Sequence, residues 1–126
     1  MTRRQVRGTL DRLLGLKHGC VPGEAFRQFL RTDARTETAK GFISDLAAHF
    51  AVQDEFVFFG SSVLFAYDAA LGDEAPLLIK MIDFGHAHTM QEMREEAKSN
   101  GSEATFVPLD TGYIKGLSSL AGFLGI

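Results

Sequence analysis

Residues 56–67 read FVFFGSSVLFAY, and residues 76–84 read PLLIKMIDF. Both stretches are dominated by aromatic, β-branched and long apolar side chains, which is typical of buried strands. Only a short polar connection around residues 72–74 separates them, so an antiparallel hairpin is predicted. Gly60 lies inside the first stretch, where a glycine indicates a bulge or a close approach of two backbones.

Helical periodicity is found on both sides of the predicted hairpin. Upstream, the spacing predicts a short amphipathic helix over residues 6–14, a second short helix from Pro22 and a longer helix from about Thr36 to Phe50. Downstream, helical spacing returns from Tyr113 to Leu124. Residues 85–109 show no sustained period and predict a mobile loop with room for one helical turn. The order of elements predicts an α+β fold.

Composition limits the classes of function. The chain has 126 residues and is 45% hydrophobic, which suits one modest core. Its net charge of -3 argues against a surface built for nucleic acid. Arg3, Arg4, Arg7 and Arg12 make the first segment basic, which predicts a solvated helix face or a local anion site. The single Cys20 leaves no internal disulfide and indicates a reducing, intracellular compartment. The sequence contains no run of 18 apolar residues, so no membrane span is predicted.

Asp83 is the sharpest candidate for chemistry, because it ends an apolar strand just before a glycine and the predicted loop. Nucleotide-dependent phosphotransferases use such an aspartate to hold Mg²⁺ against phosphates. The same position also suits an aspartate that simply begins a turn. Ser61 and Ser62 add two hydroxyls that could meet a ligand at one end of the hairpin.

The sequence DTGYIKGL at residues 110–117 opens the last predicted helix. Gly112 and Gly116 would allow close packing of this helix against a neighbouring element. We therefore predict a helix start with tight packing here.

Three segments occur in a fixed order: SSVLFAYD at 61–68, MIDFGH at 81–86 and DTGYIKGL at 110–117. Together they resemble the S-S-L-L, I-D-F and D-x-G-Y-x-x-G-L series of the inositol polyphosphate kinase family. Val63 replaces the first leucine of S-S-L-L and conserves its apolar character. The resemblance extends over roughly residues 22–126.

This resemblance implies the C-terminal lobe of a kinase whose fold is related to protein kinases and ATP-grasp enzymes. It implies transfer of the γ-phosphate of ATP to a hydroxyl of an inositol phosphate, with ATP and Mg²⁺ as cofactors. In that picture Asp83 is a magnesium ligand, and Ser61 and Ser62 lie near the nucleotide. The resemblance assigns no catalytic residue, and it implies a cytoplasmic or nuclear location.

The family's P-x-x-x-D-x-K-x-G signature does not occur in the sequence. The signature has an aspartate four residues after its proline. The residues four positions after Pro22, Pro76 and Pro108 are Phe26, Lys80 and Gly112, so none of the three prolines begins it. We therefore expect residues 1–126 to be a single partial domain without the N-terminal lobe, which a second chain or a separate segment would supply. The alternative is a non-catalytic remnant that binds a nucleotide, an inositol phosphate or a protein partner.

Two rival interpretations start from the same region. The letters DFG at residues 83–85 also occur in protein kinases, but the sequence contains neither H-R-D-x-x-x-x-N nor A-P-E. His86 and His88 would share a face of an extended stretch and could bind a transition metal, although no third ligand is evident. His86 also suits a loop beside the nucleotide.

Overall fold

The computed structural model describes residues 22–126. Its helices are α1 (Pro22–Leu30), α2 (Asp33–Phe50), α3 (Met90–Ser99) and α4 (Thr111–Leu124), and its strands are β1 (Phe56–Phe59), β2 (Ser62–Ala66), β3 (Leu78–Ile82) and β4 (His86–Thr89), with 3-10 turns at Ala69–Glu74 and Glu103–Thr105. The α+β prediction is confirmed.

Within the described part, no helix is both long and apolar enough to cross a membrane. The helix predicted over residues 6–14 and the basic residues Arg3, Arg4, Arg7 and Arg12 lie outside the described residues.

Side-chain caps set where the helices begin. Helix α1 begins at Pro22, as predicted, because a proline loses no helical hydrogen bond in the first turn. Helix α2 begins earlier than the predicted Thr36, since the Thr32 hydroxyl accepts the Arg35 N–H at 3.2 Å. Helix α4 likewise begins two residues before the predicted Tyr113, because Asp110 caps it.

The predicted hairpin is present, but it is made of two separate ladders. Strand β2 pairs antiparallel with β3, and β1 pairs antiparallel with β4. Phe59 lies opposite His86, and Ser62 lies opposite Ile82. The two residues 60–61 between β1 and β2 therefore face the three residues 83–85 between β3 and β4. Gly60 has φ 67° at this interruption, which confirms the predicted bulge.

The prediction of a loop over residues 85–109 is wrong. Strand β4 and helix α3 occupy its first half, and the helix carries a capping box. The Thr89 hydroxyl accepts the Glu92 N–H at 3.1 Å, and a Glu92 carboxylate oxygen accepts the Thr89 N–H at 3.2 Å. The spacing T-x-x-E was the available sequence signal for this helix start.

The core lies where α2 and α4 pack together beneath the hairpin. Its buried side chains are Leu30, Ala39, Ile43, Phe50, Leu117 and Leu124. The Phe50 ring stacks on the Tyr113 ring with centroids 4.2 Å apart, which joins the two helices. Phe65, Ile79 and Met81 from the inner face of the β2–β3 ladder pack against this cluster. Burial of one apolar face therefore fixes the hairpin on the helices.

Arg35 is the buried cation of this core, with only 2% of its surface exposed. Its guanidinium donates to the carbonyls of Leu30 at 3.2 Å, Gly72 at 2.8 Å and Ala75 at 3.0 Å. It also lies 3.7 Å from the centre of the Tyr67 ring. Within the described residues Arg35 forms no ion pair, so backbone carbonyls and one ring compensate its buried charge.

Replacing Arg35 by lysine should lower the free energy of unfolding by about 2–4 kcal/mol, because an ammonium cannot reach three divergent carbonyls at once. Urea denaturation followed by circular dichroism measures the change. Arg94→Lys is the control, since Arg94 is exposed and lies 5.4 Å from the Phe106 ring, and its effect should stay within about 0.5 kcal/mol. Equal stability of the two variants would contradict the role given to Arg35.

Thr89→Ala should destabilise the protein by about 1 kcal/mol, because it removes the side-chain acceptor at the start of α3. Thr38→Ala is the matched control. The Thr38 hydroxyl donates to the Ala34 carbonyl inside α2, where alanine is the better helix former, so this variant should be as stable as the wild type or slightly more stable. The same urea titration compares them, and an unaffected Thr89→Ala variant would remove the capping argument.

Candidate functional site

Asp83 lies at the interruption between the two ladders, directly after β3 ends at Ile82. Its backbone has φ 65°, a left-handed conformation that aspartate and asparagine tolerate better than most residues. The Asp83 carboxylate is exposed, and within the described residues it makes neither a hydrogen bond nor an ion pair. An unpaired carboxylate is thus held in a turn where a bound cation could reach it.

The two predicted serines lie on opposite sides of the hairpin. Side chains alternate along a strand, so neighbours point to opposite faces. Ser62 is exposed and pairs with Ile82, which places it beside Asp83. The Ser61 hydroxyl is instead buried and faces a cavity beneath the hairpin. The structure therefore puts the two predicted serines in different environments, with Ser62 exposed opposite Ile82 and the Ser61 hydroxyl facing the cavity.

The outer face of the β2–β3 ladder is apolar although it is exposed. Leu64, Leu78 and Ile82 are exposed to 44%, 53% and 38% on this face. Lys80 lies opposite Leu64 on the same face and forms no ion pair among the described residues. Sequence reasoning missed this surface, although alternation along residues 62–66 and 78–82 could have revealed it.

A cavity of about 630 Å³ lies on the inner side of the hairpin, between β1, β2, α1 and α4. Its walls are mainly apolar, with Phe26, Phe58, Phe65 and Tyr113 among them. Two buried hydroxyl oxygens, on Ser61 and Tyr113, have no hydrogen-bond partner in the described part of the chain. The cavity therefore combines aromatic walls with two polar atoms that can still bind a partner.

Asp110 is the charged group of this cavity, and only 3% of its surface is exposed. Its carboxylate accepts the Phe58 N–H at 2.7 Å and the Tyr113 N–H at 3.1 Å, so it joins β1 to the start of α4. Burial raises the pKa of Tyr113, the Ser61 hydroxyl lowers it because it lies near the Tyr113 hydroxyl although the two form no hydrogen bond of good geometry, and the charge of Asp110 raises it further. The Tyr113 hydroxyl therefore stays protonated at neutral pH.

The predicted tight packing at Gly112 and Gly116 is wrong for the described residues. A Cβ at Gly116 would meet nothing within 4 Å, and one at Gly112 would meet only the Asp110 carboxylate, at 3.9 Å. Both glycines border the cavity. They keep space open above α4, so only the predicted helix start is confirmed for this motif.

The histidines lie on β4, so the prediction that His86 is a loop residue is wrong. His86 pairs with Phe59, and His88 Nδ1 lies 3.2 Å from a Glu92 carboxylate oxygen. Nowhere in residues 22–126 do three histidine, cysteine, aspartate or glutamate side chains gather closely enough to hold a metal ion. The two histidines therefore have no third ligand within that range.

Asp83 by itself fits one kind of metal binding. Mg²⁺ prefers oxygen ligands and commonly takes one or two carboxylates, with phosphates and water completing its octahedron. A single exposed carboxylate at a fixed turn suits that arrangement when a nucleotide provides the phosphate oxygens. It does not suit a metal ion held by protein side chains alone.

Comparison with protein families gives a direct match. The family model described as inositol polyphosphate kinase matches residues 16–125, which is most of the chain. Comparison with curated proteins found no match, and comparison with solved structures also found none. The matched range contains the interrupted hairpin, Asp83 and the start of α4. The chain therefore belongs to the inositol polyphosphate kinase family.

Proposed function

We propose that this chain takes part in the ATP-dependent phosphorylation of a hydroxyl group of an inositol phosphate. Membership of the family supports kinase activity at the level of the family. The observation that carries the proposal for this chain is the exposed, unpaired carboxylate of Asp83 at the end of β3. It is the described group best suited to a metal ion that accompanies a nucleotide.

Asp83 is proposed as the protein's ligand to Mg²⁺. A bound Mg²⁺ would neutralise charge on the β- and γ-phosphates of ATP. The left-handed backbone at Asp83 turns the chain directly after β3, and Gly85 brings no side chain near the Asp83 carboxylate. Since residues 22–126 hold no cluster of three metal-binding side chains, Mg²⁺ should bind only together with the nucleotide.

The outer face of the β2–β3 ladder is proposed as the surface for the nucleotide base. Leu64, Leu78 and Ile82 offer a flat apolar patch that ends next to Asp83. Ser62 supplies a hydroxyl at that end, and Lys80 supplies a cation on the same face. A base on the patch would leave its phosphates within reach of these polar groups. Ser61 near the nucleotide stays a prediction, because its hydroxyl faces the cavity.

The second candidate function is binding without transfer. Phosphoryl transfer depends on positioning and on several charged groups around the phosphates. The sequence of 126 residues lacks the family's P-x-x-x-D-x-K-x-G signature, which contributes such groups. A chain that keeps Asp83 and the apolar face could therefore bind a nucleotide or an inositol phosphate and transfer nothing.

Asp83→Asn should abolish Mg²⁺-dependent binding of an ATP analogue and leave the fold intact. Asparagine has the same shape and also tolerates a left-handed backbone, so only the charge is removed. Calorimetric titration of the full chain with the analogue, with and without Mg²⁺, measures the effect. Asp54→Asn is the control, because Asp54 is exposed and lies outside the hairpin.

Unchanged binding by Asp83→Asn would exclude Asp83 from the site. A radiolabel transfer assay against a panel of inositol phosphates then separates the two candidate functions. Transfer by the wild type supports the kinase, whereas binding without transfer supports the non-catalytic alternative. Absence of both would contradict a nucleotide site in this chain.

A further inference from the structure

We propose that the cavity beneath the hairpin is a second binding site, for an uncharged, mainly apolar molecule that carries a hydroxyl group. It is separate from the proposed nucleotide face, because Val63 and Phe65 of β2 line the cavity, whereas Ser62 and Leu64, which alternate with them, lie on the outer face. Nothing in the proposed kinase reaction uses its walls.

The size and shape of the cavity suit a small ring-containing molecule. Its volume of about 630 Å³ lies within the usual range for ligand pockets. Gly116 contributes to this volume, since a side chain at that position would extend into free space. At Gly116 helix α4 has no side chain to pack against the apolar walls of the cavity. A bound molecule would bury this uncovered apolar surface.

The two unpaired hydroxyls indicate which polar group the ligand carries. Buried polar atoms are nearly always hydrogen-bonded, and Ser61 Oγ and Tyr113 OH have no partner within the described residues. Each can donate and accept one bond, so a ligand hydroxyl between them could satisfy both. The proposed ligand therefore places its hydroxyl at the Ser61 end of the cavity.

The charge of the cavity excludes anions. Asp110 is buried there with two backbone N–H groups as partners and, in the described part of the chain, without a cation. A phosphate or carboxylate group next to it would be repelled in a poorly solvated setting. Inositol phosphates and ATP are thus the wrong chemistry for this site, which separates it from the proposed substrates.

Three naphthalene derivatives test the proposal, by fluorescence titration of the full chain at neutral pH. The probe 2-naphthol is uncharged and carries a hydroxyl, naphthalene lacks it, and 2-naphthoate is an anion. We expect 2-naphthol to bind about tenfold more tightly than naphthalene, the effect of about one buried hydrogen bond. We expect no measurable binding of 2-naphthoate at concentrations that saturate with 2-naphthol.

Two leucine substitutions on α4 form a matched pair. Gly116→Leu places a side chain inside the cavity and should weaken 2-naphthol binding at least tenfold. Gly122→Leu is the control, because Gly122 lies on the same helix, has the same free space around it and does not line the cavity. Leucine is a better helix former than glycine, so both variants should unfold at or above the wild-type temperature.

Ser61→Ala should reduce the preference for 2-naphthol over naphthalene to about twofold, since one of the two hydrogen-bonding oxygens is removed. Asp83→Asn should bind 2-naphthol like the wild type, so failure of the nucleotide site and failure of the cavity site are distinguishable. Equal affinity for all three probes, or binding unchanged in Gly116→Leu, would overturn the proposal. So would a fall in sedimentation mass of Gly116→Leu without probe, which would indicate a second copy of the chain in the cavity.

Discussion

The buried guanidinium of Arg35 holds three parts of the chain together. It joins the C-terminal end of α1 at Leu30 to the 3-10 turn at Gly72 and to Ala75 just before β3, and it lies over Tyr67 after β2. Helix ends leave carbonyls unpaired, and a planar cation with five N–H donors can satisfy several at once. The position of the hairpin on the helices depends on this charge being compensated by backbone carbonyls and the Tyr67 ring.

The interruption of the hairpin produces the candidate site at Asp83. Two residues between β1 and β2 face three residues between β3 and β4, so the two ladders differ by one residue in register. The extra residue is accommodated by left-handed backbone at Gly60 and Asp83. In a continuous ladder Asp83 would be part of a regular strand, and its side chain would point to the face opposite that of Ile82. The break instead leaves its carboxylate exposed at a turn.

The same break gives the hairpin two different environments. On the outside, Leu64, Leu78 and Ile82 form an exposed apolar patch that ends next to Ser62 and Asp83. On the inside, Ser61, Tyr113 and Asp110 form a partly polar cavity at the start of α4. Along this segment the two surfaces alternate, since Ser61, Val63 and Phe65 line the cavity while Ser62 and Leu64 lie on the outer face. The negative charge of Asp110 and the unpaired charge of Asp83 therefore act on different sides of one strand.

The sequence alone determined the α+β class, the hairpin, most helix positions and the motifs that indicate the family, because apolar periodicity and short motifs are local properties of the chain. It also contained the T-x-x-E spacing at Thr89, which went unused. Tertiary structure alone decided the register, the opposite faces of Ser61 and Ser62, and the open space above Gly116. These depend on partners far apart in sequence, such as Asp110 with Phe58 and Arg35 with Gly72, and local patterns cannot specify which distant backbone groups will meet.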